Sequence, residues 1–162
     1  MTYYAPAADH ATIKQVNCDQ APPYEAILVS GILKTSAFFD GRQIIVGFYP
    51  SMSPATIEME TSGLEIEVND HVVAMASLQF HSVQYQNEPA SQYKLTKVQS
   101  LDERLSMTGL YFKLYITSTA ADPANLVLRI PPLRVNGALI PAQTISFRRE
   151  THVRARFLVL NC

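Results

Sequence analysis

The chain has 162 residues, of which 48% are hydrophobic and 17% charged, with a formal net charge of −1. That balance excludes a disordered chain and a coiled coil. It also excludes a general electrostatic pull toward nucleic acid or anionic lipid. No apolar run approaches the roughly eighteen residues that a membrane span needs, so no membrane insertion is expected.

Residues 1–12 show no hydrophobic period and read as a flexible N-terminal tail, leaving residues 13–162 as a single domain. Residues 14–18 suit a short first strand, stopped by the turn around Pro22-Pro23. Residues 25–33 are mostly apolar and read as a central strand in which Gly31 marks a bulge. Residues 42–49 give the next strand, ended by Pro50. Ile57 and Met59 then alternate with Glu58 and Glu60, and Leu64, Ile66 and Val68 with Glu65 and Glu67. Ser62-Gly63 between the two runs predicts a two-residue hairpin.

Residues 71–80 place Val72, Ala74, Ala76, Leu78 and Phe80 on one face, with a break near His81-Ser82. Residues 92–98 read as an edge strand. Residues 100–103 fit a capping box, and Leu101 and Leu105 lie four apart, which predicts one short helix near residues 101–106. Residues 110–117 alternate, with Leu110, Phe112, Leu114 and Ile116 inward and Tyr111, Lys113 and Tyr115 outward. Residues 125–130 form another strand. Asn136-Gly137, between residues 133–135 and 138–140, is a strong hairpin signal. Residues 143–149 and 153–160 close the chain as a last pair. About 8–10 short strands with turn residues between them predict an antiparallel two-sheet β-sandwich.

The acidic run is the most specific feature. In the predicted hairpin Glu60 faces Glu65 and Glu58 faces Glu67, with Asp70 just beyond. Like charges placed directly across a ladder destabilise it, so something positive is expected over this face. The choices are a cation, a basic partner protein, or the arginines Arg148, Arg149, Arg154 and Arg156 of the last pair. A flat strand surface lacks the enclosing carbonyls of a tight calcium site, so no metal is expected.

Nothing else converges on chemistry. The four histidines are dispersed, no GxSxG elbow or Gly-rich phosphate loop is present, and the chain has no Trp for sugar stacking. Tyr111, Lys113 and Tyr115 share a face, but a single lysine is too little for nucleic-acid binding. Cys18 and Cys162, near the two ends, predict a disulfide in an oxidising compartment. The residues present at the N-terminus contain no signal-peptide pattern. The expectation is a non-enzymatic, protein-binding or structural domain of the periplasm or cell surface, without a cofactor. A carbohydrate- or lipid-binding module is the alternative, and a hydrolase with an unrecognised site the second.

Overall fold

The computed structural model describes residues 2–15, 24–83, 94–98 and 104–151, with 94–98 as backbone only. These residues form sixteen strands in three antiparallel sheets, a sandwich-like all-β fold. The large sheet runs in the order β10 (Lys94–Val98), β9 (Met75–Val83), β12 (Tyr111–Ser118), β5 (Gln43–Pro50), β4 (Leu33–Phe39), β3 (Tyr24–Ser30) and β2 (Thr12–Gln15). A five-stranded sheet holds β1 (Thr2–Ala7), β16 (Gln143–Thr151), β13 (Asn125–Ile130), β7 (Glu65–Val68) and β8 (His71–Val73). The four-stranded sheet consists of β11 (Arg104–Gly109), β6 (Ala55–Glu60), β14 (Leu133–Val135) and β15 (Ala138–Ile140).

One apolar cluster spans all three sheets. Phe39 of the large sheet meets Tyr4 at 4.4 Å and Phe147 at 6.0 Å between ring centres, both from the five-stranded sheet. Phe80 packs on Phe48 and Phe112 within the large sheet. Each fully buried side chain of this size contributes about 1.5–3 kcal/mol relative to exposure. The alternation read for residues 110–117 holds from Tyr111 onward: Phe112, Leu114 and Ile116 are buried, and Tyr111, Lys113 and Tyr115 face outward, half-buried, while Leu110 lies half-buried in the bend before the strand.

The two smaller sheets are joined at a shared corner, which replaces the two-sheet expectation. The chain leaves β6 through a short 3₁₀ turn, Thr61–Gly63, and enters β7 in the neighbouring sheet. Its partner run makes the same passage from β13 to β14 at Pro131-Pro132, where two prolines have no amide to donate to the ladder. Register partners Met59 and Leu133 lie on one side of the corner, Glu65 and Arg129 on the other. Five residues (60–64) thus span the corner on one run and three (130–132) on the other. Gly63 fits there because a Cβ would come within 2.6 Å of Pro131 Cβ.

Other local expectations change for stated reasons. Ser62-Gly63 is no hairpin, since β6 and β7 pair with different strands. Residues 104–106 belong to β11 and not to a helix: Leu105 is buried opposite Met59, and a two-residue period serves that contact better than the four-residue one. Thr2–Ala7 is a strand along β16 and not a tail, held by the buried rings of Tyr3 and Tyr4. Gly31 lies in the turn between β3 and β4, with φ of +56°, and splits the single strand read over residues 25–33. Strand β9 runs through His81-Ser82 to Val83 without the expected break. The hairpin at Asn136-Gly137 holds, with Val135 paired to Ala138 and φ of 50° and 82° at the two turn residues. Residues 101–103, the last strand at 153–160, and both Cys18 and Cys162 lie outside the described residues. No helix of the described residues is long and apolar enough to cross a membrane.

Candidate functional site

The corner decides the fate of the acidic residues. Because β6 and β7 enter different sheets, Glu58 and Glu60 are separated from Glu65 and Glu67 as ladder partners. Glu60 has Arg104 as its register partner, Glu58 has Arg134, and Glu65 has Arg129. Arg104 Nη2 lies 3.2 Å from Glu58 Oε1, and its Nε 3.7 Å from Glu60 Oε1. Arg129 donates from Nε to Glu65 Oε1 at 3.2 Å and from Nη2 to Glu67 Oε2 at 2.8 Å. The hydrogen bond and charge of Glu67, then those of Glu65, raise the Arg129 pKa further above its ordinary value. These pairs are solvent-exposed, so each adds little to stability. Their larger effect is to cancel the field of the acidic run.

The neutralising arginines are not the ones expected. Arg149, on β16, pairs with Asp122 at 2.9 Å, and strand β13 separates it from the β7 carboxylates. Arg148 is exposed on β16, between Ala5 and Asn125. Arg154 and Arg156 lie outside the described residues. Asp70 occupies the exposed turn between β7 and β8, with φ of 67°. Among the described residues, no group of three or more His, Cys, Asp or Glu side chains is placed to hold a metal ion.

A different surface gathers functional side chains. The outward face of the large sheet can be followed through its register. One row carries His81, Lys113, Gly47 and Ser36. The row on one side brings Tyr49 and Lys34 together, with Tyr111 stacked on Tyr49 at 5.8 Å and 22°. The row on the other side carries Gln79, Tyr115, Ile45 and Phe38. Gly47 leaves room at the centre, and Tyr49 fills it: a Cβ on Gly47 would lie 2.6 Å from Tyr49 Cε2. Lys34 Nζ stands 4.8 Å from the centre of the Tyr49 ring, a cation–π contact.

The electrostatics of this face are one-sided. Lys34 and Lys113 lie among the aromatic rings, and Glu25 is the one carboxylate that the register places on the face among the described residues. Glu25 is at the far edge, paired with Lys14. His81 packs edge-on to Tyr115 at 4.8 Å between ring centres. Burial first, and then the Lys113 charge, hold the His81 pKa below its ordinary 6.5. His81 is therefore an aromatic, neutral member of the group near pH 7.

Tyr111, Lys113 and Tyr115 were legible in the sequence as one face. Tyr49, Lys34 and His81 were not, because three separate strands deliver them. The period of two in each strand was the available signal, but strand order is needed to convert it into a surface. No protein-family model matches this chain, and comparison with curated proteins and with solved structures gives no match either.

Proposed function

We propose that this chain is a non-catalytic binding domain that docks an acidic segment of a partner protein on the outward face of its large sheet. The observation that carries this reading is the grouping of Tyr49, Tyr111, Tyr115 and His81 around Lys34 and Lys113 on one sheet face. Tyrosine supplies large contact area with few torsions to freeze, and it is enriched at protein interfaces. The lysines, without a carboxylate beside them in the register, favour an acidic occupant. The register places Lys14, Lys34, Lys97 and Lys113 on this face, Lys14 already opposite Glu25, and no arginine; that is few for a phosphate chain and favours a protein over a single-stranded nucleic acid. The acidic run of residues 58–67 supports no partner of its own, since Arg104 and Arg129 already lie across it.

Residence in an oxidising compartment belongs to the same proposal and rests on the sequence: Cys18 and Cys162 are the two cysteines, near opposite ends of the chain. A bridge closing so long a loop would contribute about 4–5 kcal/mol in the chain-entropy model. Two alkylatable thiols in the native, unreduced protein would count against it.

The docking test compares capture of a partner from host extract by three proteins. The wild type should retain a partner, with capture falling as salt rises. The double variant Lys34→Glu/Lys113→Glu should lose it while keeping its melting temperature. The quadruple variant Glu58→Gln, Glu60→Gln, Glu65→Gln, Glu67→Gln should capture as the wild type does. Loss in the quadruple variant alone, or displacement of the partner by a single-stranded oligonucleotide, overturns the reading.

A further inference from the structure

The crossing from β1 to β2 leaves an opening in the side of the sandwich. The β1–β16 ladder ends at the pair Ala7 and Ser146, and the β2–β3 ladder begins at the pair Thr12 and Ile27. Residues 8–11 between them carry the chain from one sheet to the other. Strand β3 runs on to Ser30, so Leu28, Val29 and Ser30 have β4 on one side and, among the described residues, no ladder partner on the other. Gln143 and Thr144 likewise lie beyond the end of the β1 ladder on β16. A cleft of about 340 Å³ separates these two strand ends, and Asp9 and His10 of the crossing also line it.

An unpaired strand edge is a row of amide donors and carbonyl acceptors that templates another strand, and proteins ordinarily blunt such edges with Pro, Lys or a bulge. Pro6 does this on edge strand β1 and Lys14 on edge strand β2. Leu28, Val29 and Ser30 carry no such device, and Val29 is an apolar side chain left 74% exposed. The crossing does not cap this edge either. Among the described residues its backbone bonds to itself, Ala11 N donating to Ala8 O at 3.2 Å. Three residues of strand present roughly 10 Å of free edge along the cleft.

We propose that this free edge of β3 takes up a short extended segment of a partner protein as an added strand, with a basic residue of that segment beside Asp9. Main-chain hydrogen bonds to residues 28–30 supply the affinity, and alternate side chains supply the specificity. Side chains of the added strand that neighbour Val29 point to the outward face of the large sheet. Those that neighbour Leu28 and Ser30 point the other way, toward the mouth between the sheets, where Leu28 and Pro141 suit a small apolar group. Asp9 is exposed, and no Lys or Arg lines the cleft, so a basic segment is attracted and an acidic one repelled. The occupant is thus chemically distinct from the acidic segment assigned to the tyrosine face, and the two sites are independent.

The test is a titration followed by two-dimensional 15N NMR. The probes are the acetylated, amidated pentapeptide Lys-Val-Ala-Val-Lys, its counterpart with Glu at both ends, and a copy of the first N-methylated at the three central amides. The lysine peptide should shift the backbone amides of residues 9–10, 28–30 and 142–144. N-methylation should weaken binding about tenfold or more, the factor that one net hydrogen bond is worth. The Glu-ended peptide should bind more weakly than the lysine peptide. Asp9→Asn should remove that difference at an unchanged melting temperature while keeping the sensitivity to N-methylation. The Lys34→Glu/Lys113→Glu variant should bind the lysine peptide as the wild type does, which separates this site from the tyrosine face. Unmoved amides at residues 28–30, an equal response to the N-methylated copy, or equal binding of the Glu-ended peptide overturns the proposal. So do shifts of the same amides with protein concentration alone, which would put a second copy of the chain on this edge.

Discussion

His81 shows how a single side chain is set by its surroundings rather than by its own sequence neighbours. It lies on β9 with its Nε2 buried and unpartnered among the described residues, beside Tyr115 and across the ladder from Lys113. Burial and the lysine charge both disfavour its protonated form, so its folded-state pKa falls below 6.5. The unfolded chain then takes up the proton more readily than the folded one. The resulting stability is complete above about pH 6.5 and is lost as the pH falls below it. The melting temperature should accordingly drop between pH 7 and pH 5, and His81→Gln should flatten that part of the curve. An identical pH slope in the variant would show that other groups govern it. Tyr4 is a related case: burial first, and then the hydrogen bond to Asp122, raise its pKa to about 12.

At the level of elements, strand existence was largely written in the residue pattern and strand partnership was not. Residues 125–130 and the hairpin at Asn136-Gly137 were read with their observed bounds because alternation and turn chemistry are local properties. The segment after Glu60 failed for a corresponding reason. Ser62-Gly63 has hairpin chemistry, but Gly63 serves a steric need at the corner, where Pro131 occupies the space a side chain would take. Gly63→Ala should therefore destabilise the fold by about 1–3 kcal/mol, as overpacking does elsewhere. Adding Pro131→Gly, which removes the opposing Cβ, should make the double variant less destabilised than the two single effects combined. Strict additivity in that cycle, measured by denaturant unfolding, would remove the corner contact as the cause. Residues 104–106 failed through a competing period: Leu105 fits both a four-residue and a two-residue spacing, and pairing with Met59 selects the second.

For the whole molecule, the N-terminal strand is the sharpest departure from expectation. Tyr4 is 4% exposed, packs on Phe39 and donates a hydrogen bond from its hydroxyl to Asp122 Oδ1 at 3.0 Å. Tyr3 donates to Glu150 Oε2 at 2.8 Å. Strand β1 therefore closes one edge of a sheet and part of the core. Tyr4→Ala should cost about 3–5 kcal/mol, the range for losing a buried aromatic. Tyr4→Phe should cost about 0.5–1.5 kcal/mol, the worth of one hydrogen bond. A flexible tail would leave both variants at the wild-type melting temperature.

The sequence alone determined the class of the protein: an all-β chain of short antiparallel strands, with alternating faces and a cluster of carboxylates that needed compensation. Those properties follow from composition, period and turn residues, which act over a few positions. Tertiary structure decided which carboxylate meets which arginine, because Arg104 and Arg129 come from strands 46 and 64 positions away in their bonds to Glu58 and Glu65. It also decided that Tyr49, Lys34 and His81 join Tyr111 and Tyr115 on one face of the large sheet. Each of these depends on strand order and on a corner, and neither is encoded by a local pattern. Pairing energies across a ladder are small and similar for many registers. The choice among them is made by the core that only the assembled sheets can bury.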